Sequence, residues 1–521
     1  MSDPMIGQET LDARIARRAA ELRPLAETIL KEAVRLPADH VDRPVDAGGD
    51  PRCGLSNHEG PRLEYLRRMA IEHGAVDRPE DIGFDGFGNL VWSLEDSADG
   101  VPADLKSVVW FDGHTDTVDA LRHRWPAVSG GGLDAYRGLV DAERLDRGAL
   151  RRALAWLPPD EEWRHLLWGR GAADQLGGVV AQLVSSIVLR ELKAEGSLRG
   201  VIVRHLATVA EEDNDGGGPM WAVRHELPGA PPERIPDVVV LSEPTGCARE
   251  GALGIYRGQR GRMQIEVTVT GKSCHGSMPH EGRNPLEFGG AILAEAAEAA
   301  ACGDGFGDDP FLGRGTRTAS WAQLETPSDC AVPERFTFRL DRRLTAGEDP
   351  ERARRDVEEL PSVAHARTAG LAVEVRVPTY DVPSWRGVVP GNAQIYPGWL
   401  TPEEHPAIAA ALATYRAVVT PHVAGDGMGG APRREPRLSR WIFSTDGVGI
   451  PVPREGSGID IPARKQWVES GSFRHPAMFG IGPGIEQYAH QVGECLDGRE
   501  LPLAIAFYAR FPSRFRAEVG G

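Results

Sequence analysis

The sequence predicts an α/β protein of two domains, a larger one that carries the chemistry and a smaller α/β domain inserted into it. Three observations lead there. Apolar runs at 106–111, 200–210 and 237–241 each end at once in acidic or imidazole residues, as buried strands do when they deliver polar groups from their C-terminal ends. From Arg262 the pattern switches to alternation, RMQIEVTVTG, which reads as half-exposed sheet. The chain's 521 residues also exceed the roughly 250–300 that one hydrophobic core usually serves.

Taken in order, residues 10–34 read as one charged helix, and 37–61 as a loop rich in Pro, Gly and Asp. A helix is expected over 63–73 and a strand over 106–111. Mixed signals with several Trp and Arg residues make 119–167 a surface excursion between core elements. An apolar helix follows over 177–193, then strands over 200–210 and 237–241. The second region reads as strand 262–271, helix 285–300, strands 320–324 and 335–340, helix 349–360 and strand 371–377. That β-α-β-β-α-β order predicts a small, ferredoxin-like α/β sandwich. A long helix from 401, a Gly/Pro/Arg-rich stretch at 425–436, a strand at 477–481 and a helix near 501–508 complete the chain. The resulting division is 1–255 and 379–521 for the larger domain and 256–378 for the insertion.

Composition narrows the function. A formal charge of −17 repels phosphate backbones and argues against nucleic acid. No run of about 18 apolar residues stands out as a membrane span, and the charged N-terminus lacks an apolar signal core. The six cysteines are thinly spread with no CxxC pair, which favours reduced thiols and a cytoplasmic location.

The chemistry gathers at strand ends. His114 and Asp116 stand two apart, on one side of an extended segment. An imidazole there suits a metal, and the carboxylate suits orienting it; a local hydrogen-bond pair accounts for the two equally well. Asp174, between a glycine turn and a helix start, suits either an N-cap or a carboxylate bridging two cations. Glu211 and Glu212 follow an apolar strand, where two adjacent acids are expensive to desolvate unless paired or metal-bound. Glu243 leaves another apolar run, and His490 offers a second imidazole. Two histidines with several carboxylates suit zinc, and cobalt or manganese accept the same set. A close metal pair activates water and polarises a carbonyl.

In order along the chain stand GHTDTV (113–118), GRGAADQLGG (169–178), VAEEDNDGG (209–217), SEPTG (242–246), GKSCHGSMP (271–279) and YAH (488–490). This ordered set resembles the aminoacylase, carboxypeptidase and deacetylase family of two-zinc amidohydrolases, the acetylornithine deacetylase-like metallopeptidases. RGQRGRMQI, SCHGS and SDCAVPE are similar to segments of its selenium-metabolism-linked hydrolase subgroup.

The resemblance implies a zinc-peptidase-like catalytic domain with an inserted lid, a homodimer, and two divalent metal ions. His114, Asp174 and Glu243 are the implied ligands of one ion, and Asp174, Glu212 and His490 those of the other. Glu211 is the implied general base and proton shuttle, Asp116 the support of His114, and His275 a lid donor to the developing oxyanion across a dimer interface. Arg335 and Arg342 are candidates for a substrate carboxylate. The expected reaction is hydrolysis of an amide, peptide or N-acyl bond in a small amino-acid-like molecule; the alternative is a non-catalytic metal or small-molecule binding protein on the same scaffold. Cys330 stands where many members carry asparagine, a departure that bears on substrate recognition.

Overall fold

The computed structural model describes residues 9–38, 58–129, 135–136, 145–154, 157–303, 305–423 and 431–520. Much of the expected 37–61 loop and the 425–430 part of the Gly/Pro/Arg-rich stretch lie outside the described residues.

Eight strands lead up to and into the insertion: β1 (Ile82–Phe84), β2 (Leu90–Glu95), β3 (Ser107–His114), β4 (Leu166–Trp168), β5 (Val201–Thr208), β6 (Val238–Leu241), β7 (Ile255–Gln259) and β8 (Gly261–Thr270). A nine-stranded sheet runs β1-β2-β5-β3-β6, then Ala477–Gly480, β7 and Trp399–Leu400, with Leu438–Trp441 alongside β7. Its centre is parallel: β3 pairs with both β5 and β6, and Ala477–Gly480 pairs with β6. All eight positions of β3 are buried, as expected of a parallel strand covered on both faces. On one face Val109 and Phe111 meet Val180 and Val184 of the Gly177–Glu191 helix and Tyr508 of the Glu500–Val519 helix. On the other, Val108 and Trp110 join Tyr256 and Trp441.

The register of these strands places the site. Asp112 lies opposite both Leu206 and Leu241, and His114 opposite Thr208. β3 and β5 therefore end at one level and β6 two residues sooner, so the residues that follow them emerge along one edge of the sheet. The Gly177–Glu191 helix starts against this edge, where a Cβ on Gly178 would come within 2.2 Å of the Ser242 carbonyl oxygen. Only glycine permits that approach. The stretch Ala172–Glu191 is long and apolar enough to cross a membrane by length and composition, contrary to the expectation that no such run exists. Its most apolar window lies wholly within the protein core.

In the insertion, β8 pairs antiparallel with Arg335–Leu344 and Ala372–Arg376, and Arg335–Leu344 pairs with Thr316–Glu325. Met263, Ile265, Val267 and Val269 pack against Ile292 and Ala296 of the Pro285–Cys302 helix and against Val357 and Val363. The alternation predicts an exposed opposite face, yet Gln264 and Glu266 are buried. Arg339 covers Glu266 at 2.8 Å from one neighbouring strand, and Arg376 covers it from the other. Ion pairs roof a face that hydrophobic pattern alone leaves open.

Two further expectations change. The 10–34 helix is two, Leu11–Glu21 and Arg23–Val34, because Pro24 supplies no amide hydrogen and its ring excludes a continuous helix. The described parts of 119–167 form more than a surface excursion: Trp125, Leu150, Trp163 and Leu166 make a small core with Trp168, Ile485, Tyr488 and Cys495. That core flanks the segment bearing His490.

Candidate metal centre

At the shared edge of β3, β5 and β6 the expected residues meet. His114 Nε2 lies 3.1 Å from Asp174 Oδ1 and 3.6 Å from Glu243 Oε1. His490 Nε2 lies 3.3 Å from Asp174 Oδ2 and 2.9 Å from Glu212 Oε2. Two groups of potential ligands result, His114/Asp174/Glu243 and Asp174/Glu212/His490, each with its donor atoms within 4.8 Å of one another. Asp174 belongs to both and turns one oxygen to each imidazole. That is the geometry of a bridging carboxylate.

Each residue has a local reason to be there. His114 is the last residue of β3. Glu211 and Glu212 open a short turn, Glu211–Asn214, immediately beyond β5. Glu243 leaves β6 after Ser242, whose hydroxyl donates to the Asp112 carbonyl and to Gln175. Asp174 precedes the long apolar helix, and the peptide joining it to Gln175 is cis.

Asp116 does two things. Its backbone carbonyl faces His114 Nδ1 at 3.1 Å, and its carboxylate lies 3.5 Å from the same nitrogen. The carboxylate also accepts the backbone N–H groups of Glu211 at 3.2 Å and Glu212 at 3.0 Å. One buried acid thus orients a histidine and fixes the turn that carries the two glutamates. Glu211 belongs to neither ligand group, and its carboxylate stands 3.9 Å from His114 Nε2.

The electrostatics describe a pocket for positive charge. Burial, reinforced by Asp174, pushes Glu243 up to about 7 and raises Glu212. Burial also raises Glu211, helped by Glu212 and Glu243 against the opposing effect of His114. Burial alone would lower His490, but Asp174 and Glu212 hold a proton on it and lift it to about 11. Crowded carboxylates of this kind need counter-charge. Two imidazole nitrogens and three carboxylates, one of them shared, fit two divalent cations, with zinc the first choice for this N/O set. Cation binding displaces the protons held on the histidines.

Sequence reasoning missed the support behind this centre. Arg170 Nη1 donates to Glu494 Oε2 at 2.6 Å, with both side chains buried. Glu494 Oε1 accepts the backbone N–H groups of Ala173 and Asp174, each at 3.0 Å, while Arg170 Nη2 donates to the His490 carbonyl at 3.3 Å. The signal was present in GRG and in a glutamate four residues after His490, but no pattern of spacing joins positions 324 apart.

The remaining candidates lie in the insertion. His275 pairs in register with Ala331, is exposed, and bonds through Nδ1 to the Ser277 hydroxyl at 2.7 Å. No hydrogen bond or ion pair joins it to the ligand groups among the described residues. Arg335 is half-exposed and pairs with Glu325 at 3.2 Å. Arg342 is corrected: it is 2% exposed, bonded to Glu348 and the Arg343 carbonyl, and set against the Phe306 ring. Its guanidinium is consumed within the fold and is not presented to a substrate.

Comparison with known proteins agrees with this geometry. Residues 257–368 match the peptidase dimerisation domain of the M20 group. The chain is 34% identical over 454 residues to the uncharacterized protein YgeY of Escherichia coli (strain K12), covering 86% of this chain and 90% of that one. A probable succinyl-diaminopimelate desuccinylase of Staphylococcus aureus (strain Mu50) is 35% identical over 157 residues, 30% of this chain and 34% of that protein. Among solved structures, an M20 family metallo-carboxypeptidase from Sulfolobus solfataricus superposes with a TM-score of 0.59 at 14% identity, covering 94% of this chain and 99% of that one. A di-peptidase from Saccharomyces cerevisiae gives 0.57 at 12% identity, with coverage of 97% and 99%. Extended identity, the matched domain and the paired ligand groups together show that this chain belongs to the M20 family of metal-dependent hydrolases.

Proposed function

We propose that this protein hydrolyses the amide, peptide or N-acyl bond of a small amino-acid-like substrate, with Glu211 moving the proton. The observation that carries the reading is the bridging geometry of Asp174 together with a buried acid, Glu211, that neither ligand group uses. A protein that only stored metal would have no need of that fourth carboxylate. Two divalent cations held by His114/Asp174/Glu243 and Asp174/Glu212/His490 would supply Lewis acidity for the carbonyl and acidify a water. Glu211 accepts the proton as water adds to the carbonyl and returns it to the departing amine. Asp116 holds the Glu211 backbone in place for both transfers.

An anionic substrate group is supported by the arginines where the domains join. Among the described residues Arg260 donates only to carbonyls, those of Ile442 and Arg314. Burial, and then Arg343 and Arg440, lower its pKa, so the three guanidiniums sense one another. Arg343 also bonds to Ser444 at 3.2 Å, two residues before Asp446, which bonds to Gln175 beside Asp174. The exposed side chains of Ile442 and Phe443 stand next to this cationic wall. A carboxylate joined to an apolar group suits such a surface.

The insertion is read as a ferredoxin-like lid spanning 256–378, on the strand order Thr316–Glu325, Arg335–Leu344, β8, Ala372–Arg376. Its outer strand, Thr316–Glu325, is an edge whose residues are nearly all exposed, Trp321 among them. An edge of that kind suits pairing with a second copy of the chain, and His275 would reach the partner's centre through the resulting dimer. The segments RGQRGRMQI, SCHGS and SDCAVPE support the selenium-metabolism-linked subgroup, and thin cysteine use supports a cytoplasmic enzyme. The test is turnover of a panel of N-acyl-amino acids, N-carbamoyl-amino acids and dipeptides, each with its carboxyl-amidated counterpart. Hydrolysis of the free acids and poor turnover of the amides is expected. Metal binding without turnover of any panel member would count against the reading.

A further inference from the structure

Directly after Glu211 and Glu212 the chain reads Asp213-Asn214-Asp215, and all three side chains reach across to the segments that join the two domains. Tyr380 donates to Asp213. Asn214 and Asn392 exchange amide hydrogen bonds at 3.0 and 3.1 Å, and the Tyr396 hydroxyl donates to Asn214 Oδ1. Asp215 accepts from Arg262 of β8 and from Ser444. Tyr380, Asn392 and Tyr396 all lie on the chain returning from the insertion. There Thr379–Tyr380 pairs with Asn392–Ala393, and Tyr396 lies in register with Arg262.

The cluster is well sealed, with Asn214, Asn392 and Tyr396 all buried. Buried amides and hydroxyls are costly unless every one finds a partner, and these find each other only while the returning chain sits where it does. The turn they hold is also bracketed by two non-glycine residues at positive φ, Ala210 at 61° and Asp215 at 45°. Such conformations persist where surrounding contacts impose them. At Asp215 those contacts are Arg262 and Ser444.

We propose that Asn214, Asn392 and Tyr396 are positioning residues that tie the placement of Glu211 and Glu212 to the docking of the returning chain. The geometry of base and ligand is then complete only when the insertion is seated, so the movement of one domain is read out at the reacting groups of the other. The inference rests on Glu211 being the base and Glu212 a metal ligand, and its test is built to fail separately from that reading.

Tyr396→Phe removes one buried donor and keeps the ring packed on Met220 and Val448; Asn392→Ala removes the reciprocal amide. Hydrogen–deuterium exchange on the metal-free, full-length protein should rise in peptides covering 209–217 for both variants, although neither substituted residue is a metal ligand. In the zinc-loaded enzyme kcat should fall about 10- to 100-fold with KM little changed, the scale expected when reacting groups are misplaced from a distance. Should Asn392→Ala fail to fold, Tyr396→Phe alone decides. Exchange that rises only in 379–396 and 257–262, or a rise at 209–217 with wild-type kcat, would overturn the proposal.

Discussion

Arg170 and Glu494 form a buried ion pair, 2.6 Å between Nη1 and Oε2, that holds the backbones of two metal ligands at once. Glu494 takes the Asp174 N–H and Arg170 takes the His490 carbonyl. Glu494→Gln keeps the shape and an acceptor for the amides but removes the charge that anchors Arg170. Zinc affinity should fall by roughly 10–100-fold, the usual cost of losing support behind a ligand. Competition against a chromogenic chelator measures it, and wild-type affinity in this variant would show the pair to be structural only.

Glu211 and Glu212 should separate by role. Glu211→Gln should bind two metal ions normally and lose about 10²–10⁴ in kcat, since its carboxylate is outside both ligand groups. Glu212→Gln should weaken one of the two ions as well as turnover. Metal content by mass spectrometry, set beside kcat for each variant, checks this. Equal occupancy and equal turnover in both would refute the assignment.

His275 is exposed on a short ladder with Ala331, so its side chain should matter little to stability. His275→Ala should fold and bind metal as the wild type does, with kcat lower by about 10²–10³, as for loss of one oxyanion donor. Mixed dimers of His275→Ala with Glu211→Gln should regain activity at one composite site. Verified heterodimers that gain nothing would place the donor, if it acts at all, within its own chain.

On β5, three residues before the Thr208 that lies opposite His114, His205 predicts a pH effect on stability. It is stacked between Trp92 and Phe111, at ring distances of 4.7 and 5.1 Å, and burial pushes its pKa down from 6.5 to about 3. Between those values the unfolded chain binds a proton that the folded one refuses. Stability therefore rises with pH across that window and is lost on acidification, by up to about 1.4 kcal/mol per pH unit from this group. His205→Phe should flatten that part of the profile in urea melts collected from pH 6.5 downward. An unchanged slope would mean that His205 charges within the fold.

The parts of this molecule legible in sequence are those set by local pattern. The strand ends that deliver His114, Glu211, Glu212 and Glu243 announce themselves because mostly apolar runs, buried along nearly their whole length, give way abruptly to acids and an imidazole. β1 and β2 left no comparable signal because β1 has three residues and β2 alternates buried with half-buried or exposed positions instead of forming an apolar run. The burial of Glu266 and of Arg342 depends on partners from neighbouring strands or a later turn, and hydrophobic period carries no trace of such ion pairs. The same holds for Asn214 and Asn392, which look like loop asparagines until the fold closes 178 residues between them.

Activity should require two cations, with Asp174 a member of both ligand groups. Stripping metal with a chelator, verifying its absence, and titrating zinc back while assaying the best substrate of the panel tests this most directly. No turnover is expected in the stripped protein, with recovery that completes at two equivalents per chain and none in Asp174→Asn. Full turnover from verified metal-free protein would contradict it.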